Sequence, residues 1–90
     1  MAEDRLNIDT KTLEDNSDLR QVEFEAEVSE ERYQFAVQYD VLEALSAVSP
    51  EGEAVTIFKQ HAERIAQLGV VALTRDPDQE IVVISENDLD

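Results

Sequence analysis

His61 is the only histidine in the ninety-residue chain, set in the stretch FKQHAERI. A histidine can serve as a general base, orient a nucleophile or ligate a metal near neutral pH. Each role needs company. A zinc site takes three or four protein ligands, and the chain has no cysteine and no second histidine to supply them. Glu63 and Arg64 fall on other faces of the helix that this stretch forms. The plainer reading makes His61 a partly buried polar core residue, packed by its carbon edge with one nitrogen bonded to backbone or water.

Glu23, Glu25 and Glu27 are the second set of residues that could do chemistry. Side chains two apart on a strand stand about 6.5–7 Å apart. Calcium holds its oxygens at about 2.3–2.6 Å, so this row does not close around one ion. It makes a wet sheet face and a candidate acidic interaction patch. Asp76, Asp78 and Glu80 have the first spacings of a calcium loop, but Ile81 stands where that loop needs glycine and Asn87 where it needs glutamate. Gly52 and Gly69 are the only glycines, so no glycine-rich phosphate cradle exists. The serines have no histidine–carboxylate arrangement near them in sequence. The sequence therefore implies no catalytic residue, no metal and no cofactor.

The elements that position these residues follow from periodicity. Val22, Phe24, Ala26 and Val28 alternate with the glutamates, as one wet-faced strand does. Tyr33, Phe35, Val37 and Tyr39 repeat the pattern. Joined over a four-residue SEER loop, the two runs pair Val28 with Tyr33, Ala26 with Phe35, Phe24 with Val37 and Val22 with Tyr39. On the wet face that register sets no like charges directly opposite. Asp40 and Glu43 have capping-box spacing for a first helix. Ser49 and Pro50 suit the start of a second. Ala54, Phe58, His61, Ile65, Leu68 and Ala72 step by three and four along one stripe. The spacing predicts a single long helix to about Thr74, bent at Gly69; the alternative is that Gly69 ends it and VVALT becomes a strand. Ile81 to Ile84 reads as a short strand, apolar on both faces and interior to the sheet.

The expected fold is α+β: a small antiparallel sheet in β-β-α-α-β order, with two helices packed on one face. Residues 1–18 read as a polar arm, loose or pinned by Leu6 and Ile8. Residues 19–86 form the domain, and residues 87–90 a polar tail.

With these segments in place, VEFEAEV, RYQFAV with VLEAL, IFKQHAERIA and IVVISENDL together resemble the bacterial family catalogued as domain of unknown function 1488. The resemblance covers residues 6–89. It implies a small α+β protein with helices beside a sheet. It implies no activity and carries over no site residue.

Charge narrows the partners. Twenty-two acidic residues against seven basic ones give a formal net charge of −15. Such a field repels phosphate backbones and anionic lipid. Arg5, Lys11, Arg20, Arg32, Lys59, Arg64 and Arg75 are scattered and form no basic stripe. Nucleic acid and membrane are therefore not expected partners; the acidity reads first as solubility in a salty cytoplasm, and as a binding surface it would meet a basic protein or a second copy. No apolar run reaches membrane-spanning length, and no cysteine is present. The expectation is a cytoplasmic, non-enzymatic protein-interaction module. Two alternatives stand beside it. One is a small-ligand-binding protein or enzyme using His61 with carboxylates brought close by folding. The other is an acidic nucleic-acid mimic that occupies a basic protein.

Overall fold

Four strands and three helices make up the chain in the computed structural model, which describes residues 6–89. In order they are β1 (Asn7–Asn16), β2 (Gln21–Val28), β3 (Glu31–Gln38), α1 (Tyr39–Ser46), α2 (Ala54–Gln60), α3 (Ala62–Arg75) and β4 (Ile81–Ile84). The α+β class holds, but the order is β-β-β-α-α-α-β. The sheet runs β1-β2-β3-β4, with β1 and β2 antiparallel, β2 and β3 antiparallel, and β3 and β4 parallel. It is mixed, not antiparallel. Parallel neighbours need a long crossover, and the three helices between β3 and β4 supply it. Among the described residues the strand IVVI is an edge, not an interior strand: β3 flanks it on one side only.

Most of the expected polar arm is β1. Leu6 is buried, and Ile8 and Leu13 pack against the core. Residues 1–5 of that arm, and Asp90 of the tail, lie outside the described residues. The rest of the tail is fastened down. Glu86–Asp88 is a turn of 3₁₀ helix begun by a capping box: the Ser85 hydroxyl accepts from the Asn87 amide, and the Asp88 carboxylate accepts from the Ser85 amide at 3.0 Å.

The β2–β3 hairpin is tighter than expected. Phe24 faces Phe35, Val22 faces Val37, Ala26 faces Tyr33 and Val28 faces Glu31. This register is two residues away from the expected one. A slip of two keeps every side chain on its own face, so alternation cannot distinguish the registers. The turn is Ser29–Glu30, with φ of 52° and 70°. Left-handed φ at both positions is the twist that matches paired strands, even though neither residue is glycine or asparagine. The tight register also sets Glu27 opposite Arg32, whose guanidinium reaches across to Glu25 and Asp9. Tyr39 drops out of the strand. It begins α1 instead, with its ring buried.

The helical stripe is present but interrupted elsewhere than expected. His61, at φ −120° and ψ 24°, separates α2 from α3. Its amide is shared between the Ile57 and Phe58 carbonyls, both at 3.1 Å. Gly69 does not end the helix, and residues 70–74 are helical, not a strand; the glycine is buried in the middle of α3. A Cβ there would stand 3.2 Å from Leu6 Cδ2, so the missing side chain admits Leu6 to the helix surface. The expected capping residues do not act. Gln38 precedes α1 and Glu53 precedes α2, neither with a side-chain cap. Ser49 and Pro50 lie in the link ahead of α2.

Phe24, Phe35 and Phe58 form the middle of the core. Phe24 stacks on Phe35 at 5.4 Å between ring centroids and meets Phe58 edge-on at 4.9 Å. Strand residues Val22, Val37, Val82 and Ile84 join helix residues Leu42, Ile65, Leu68 and Ala72 in the same buried cluster. Each large side chain removed from water contributes about 1.5–3 kcal/mol.

Candidate functional site

The residues of β2 that point away from Phe24 are Glu23, Glu25 and Glu27, and the register fixes their neighbours. On one side β1 sets Glu14 beside Glu23, Asp9 beside Glu25 and Asn7 beside Glu27. On the other, β3 sets Ala36, Gln34 and Arg32 beside the same three. Five carboxylates thus share one sheet face with the Arg32 guanidinium. The expectation that like charges avoid each other holds between β2 and β3. Between β1 and β2, a pairing outside that expectation, Glu14 opposes Glu23 and Asp9 opposes Glu25.

The repulsion is met by local hydrogen bonds. Arg32 Nε donates to Glu25 Oε1 at 3.0 Å, and Nη2 donates to Asp9 Oδ2 at 2.7 Å. One side chain therefore ties β3 to β1 across β2. The Arg32 hydrogen bond, followed by the Lys11 amide, holds the Asp9 carboxyl below its ordinary range. The two carboxylates in turn raise Arg32. Among the described residues Glu23 meets no cation; its Oε2 accepts from Asn16 Nδ2 at 3.0 Å and from Gln21 Nε2 at 2.8 Å. Glu27 stays exposed.

A bulge in β1 shapes this face. Between Asp9 and Glu14 the register jumps, and Thr12 fills the gap in the ladder. Its hydroxyl donates to the Asp9 carbonyl at 2.7 Å and accepts from the Glu25 amide at 2.8 Å. A side-chain oxygen thereby replaces the backbone partner that the bulge removes. Toward β4 the face turns apolar. Ile81 lies beside Gln34 and Val83 beside Ala36, with Ile81 37% exposed. A depression of about 330 Å³ separates the two zones, lined by Glu25, Arg32, Tyr33, Gln34 and Glu80.

His61 is not brought to this face. It sits half-buried at the junction of α2 and α3, while Phe58 packs on the opposite side of the sheet from the glutamates. Among the described residues no group of three or more histidine, aspartate or glutamate side chains is placed to hold a metal ion. Asp76, in the calcium-loop stretch, pairs with Arg75 Nε at 2.9 Å. Asp9, Glu14 and Arg32 are the members of the face that the sequence reading missed. The signal was there in Ile8, Thr10 and Thr12, β-branched residues that favour a strand.

A short mixed sheet whose last two strands are joined by three helices defines a small α+β domain with one acidic sheet face. That fold is shared with a crystal structure of a protein of unknown function from the domain of unknown function 1488 family of Shewanella loihica. The TM-score is 0.70 at 17% identity, covering 93% of this chain and 96% of that one. The fold implied by the sequence resemblance is therefore the fold the chain has. No family model matches the sequence, and no curated protein matches it. No helix of the described residues is long and apolar enough to cross a membrane.

Proposed function

We propose that the chain is a cytoplasmic, non-enzymatic protein-interaction module whose outer sheet face meets a basic partner. The observation that carries this reading is the crowding of Asp9, Glu14, Glu23, Glu25 and Glu27 on one face around the Arg32 guanidinium. The net charge of −15 extends the attraction beyond contact distance. A second copy docking on this face would set carboxylates against carboxylates, so charge favours a foreign partner.

Affinity capture from native lysate tests the reading. Basic proteins should be retained at about 0.05 M salt and released by about 0.5 M, as screening shortens the range of exposed charges. Changing Glu23→Gln, Glu25→Gln and Glu27→Gln together keeps the shape of the face and removes three charges. Retention should then fall. Unchanged retention by this variant, or retention indifferent to salt, overturns the proposal.

A further inference from the structure

A groove of about 460 Å³ runs between the start of β1 and α3. Ile8, Ala62, Ala66 and Val70 line it with hydrocarbon, and Glu63 and Gln67 stand among its polar residues. Ala62, Ala66 and Val70 follow one another at single helical turns. Two of the three are small, which lowers the helix surface and opens the space. Alongside lies a strand edge. Among the described residues β1 is flanked by β2 alone, so its outer row of amides and carbonyls has no ladder partner. A free edge beside a side-chain pocket is the geometry of strand addition: main-chain bonds bind, and the pocket selects one side chain.

Charge selects the occupant. Glu63 brings a carboxylate into the lining itself, within a chain of net charge −15. A second copy would bring the same charge to the edge, whereas a cationic segment is drawn to it. We infer that the β1 edge and the α3 groove take an extended basic peptide, with one apolar side chain seated between Ala62, Ala66 and Val70. This rests on the basic-partner reading above and moves the contact from the sheet face to the sheet edge.

The probe is a fluorescein-labelled peptide, Lys-Val-Lys-Leu-Lys-Val-Lys, with a control in which glycine replaces both valines and the leucine. Fluorescence anisotropy should show the first binding and the second binding weakly. Ala66→Phe fills the groove and should weaken the first peptide about tenfold, as loss of an apolar pocket does. Glu63→Lys, on an exposed position where folding is not at risk, should weaken it about threefold by reversing a charge. Amide NMR signals of residues 7–10 and 62–70 should move on binding. Unchanged affinity in both folded variants overturns the inference. Equal binding of the two peptides does so as well. If the triple glutamine variant of the sheet face loses binding while the groove variants keep it, the face reading survives and the groove fails; the reverse result separates them the other way. Absence of binding by either peptide overturns the groove inference without touching the capture experiment. A dimer that Ala66→Phe dissolves would give the groove to a second copy and overturn the inference.

Discussion

The Tyr39 hydroxyl donates to the Asp15 carboxylate, tying the start of α1 to the end of β1. The Tyr39 amide donates to the Arg20 carbonyl at 2.9 Å, and the Arg20 guanidinium lies 5.2 Å from the center of the Tyr39 ring. Burial first, and the Asp15 hydrogen bond second, push the Tyr39 hydroxyl up to about 12. An unfolded tyrosine ionises near its ordinary value of 10.0. Above that value the unfolded chain sheds a proton that the folded chain keeps, so stability falls as pH rises. The Tyr39 contribution is full below pH 10, is lost between about 10 and 12, and totals on the order of 2–3 kcal/mol. Urea unfolding across this range should show the decline in the native chain. In Tyr39→Phe the part due to this residue should vanish. An identical decline in both would place the alkaline sensitivity elsewhere.

Thr12 stands in for a backbone carbonyl opposite the Glu25 amide. Thr12→Val keeps the shape and removes both hydrogen bonds, leaving a half-buried amide without its partner. We expect a loss of about 1–3 kcal/mol, read as a lower urea midpoint at unchanged slope. Thr12→Ser should recover most of it. A serine variant as weak as the valine one would show that the methyl packing, not the hydroxyl, holds the bulge.

The Ser29–Glu30 turn and Ala47 carry left-handed backbone without glycine. Ser29→Asn with Glu30→Gly should stabilise the hairpin by about 1 kcal/mol, since these residues take that conformation at little cost. Ala47→Gly, at the end of α1, should add about 0.5–1 kcal/mol for the same reason. Thermal unfolding measures both. A lower midpoint in the turn variant would favour the looser four-residue loop.

Among the described residues Asp88 is the one buried carboxylate paired with an arginine, its side chain 1% exposed against Arg75. It also accepts from the Ser85 amide, and Arg75 Nη2 donates to the Val83 carbonyl at 3.2 Å. Asp88→Ala should cost about 2–3 kcal/mol through the lost charge-assisted bonds. Hydrogen exchange should quicken first in residues 81–85. Protection unchanged there would mean that the chain end hangs on Leu89 packing instead.

Sequence alone determined which way side chains point. Alternation in β2 and β3 and the three–four stepping of α2 and α3 each follow from the repeat of a single element, so Phe24, Phe35, Phe58, Ile65 and Leu68 were legible as core and the three glutamates as a wet row. What stands next to what was decided by the tertiary structure. A strand's repeat of two is unchanged by a two-residue slip, and the β2–β3 register goes with the tight Ser29–Glu30 turn. The repeat of β1 is broken by its bulge, which hid the strand and with it Asp9 and Glu14. Apolar residues on both faces of β4 describe an edge beside a partly covered sheet as well as an interior strand. Periodicity is a property of one segment, whereas the acidic face and the groove exist only between segments, where long-range contacts set the geometry.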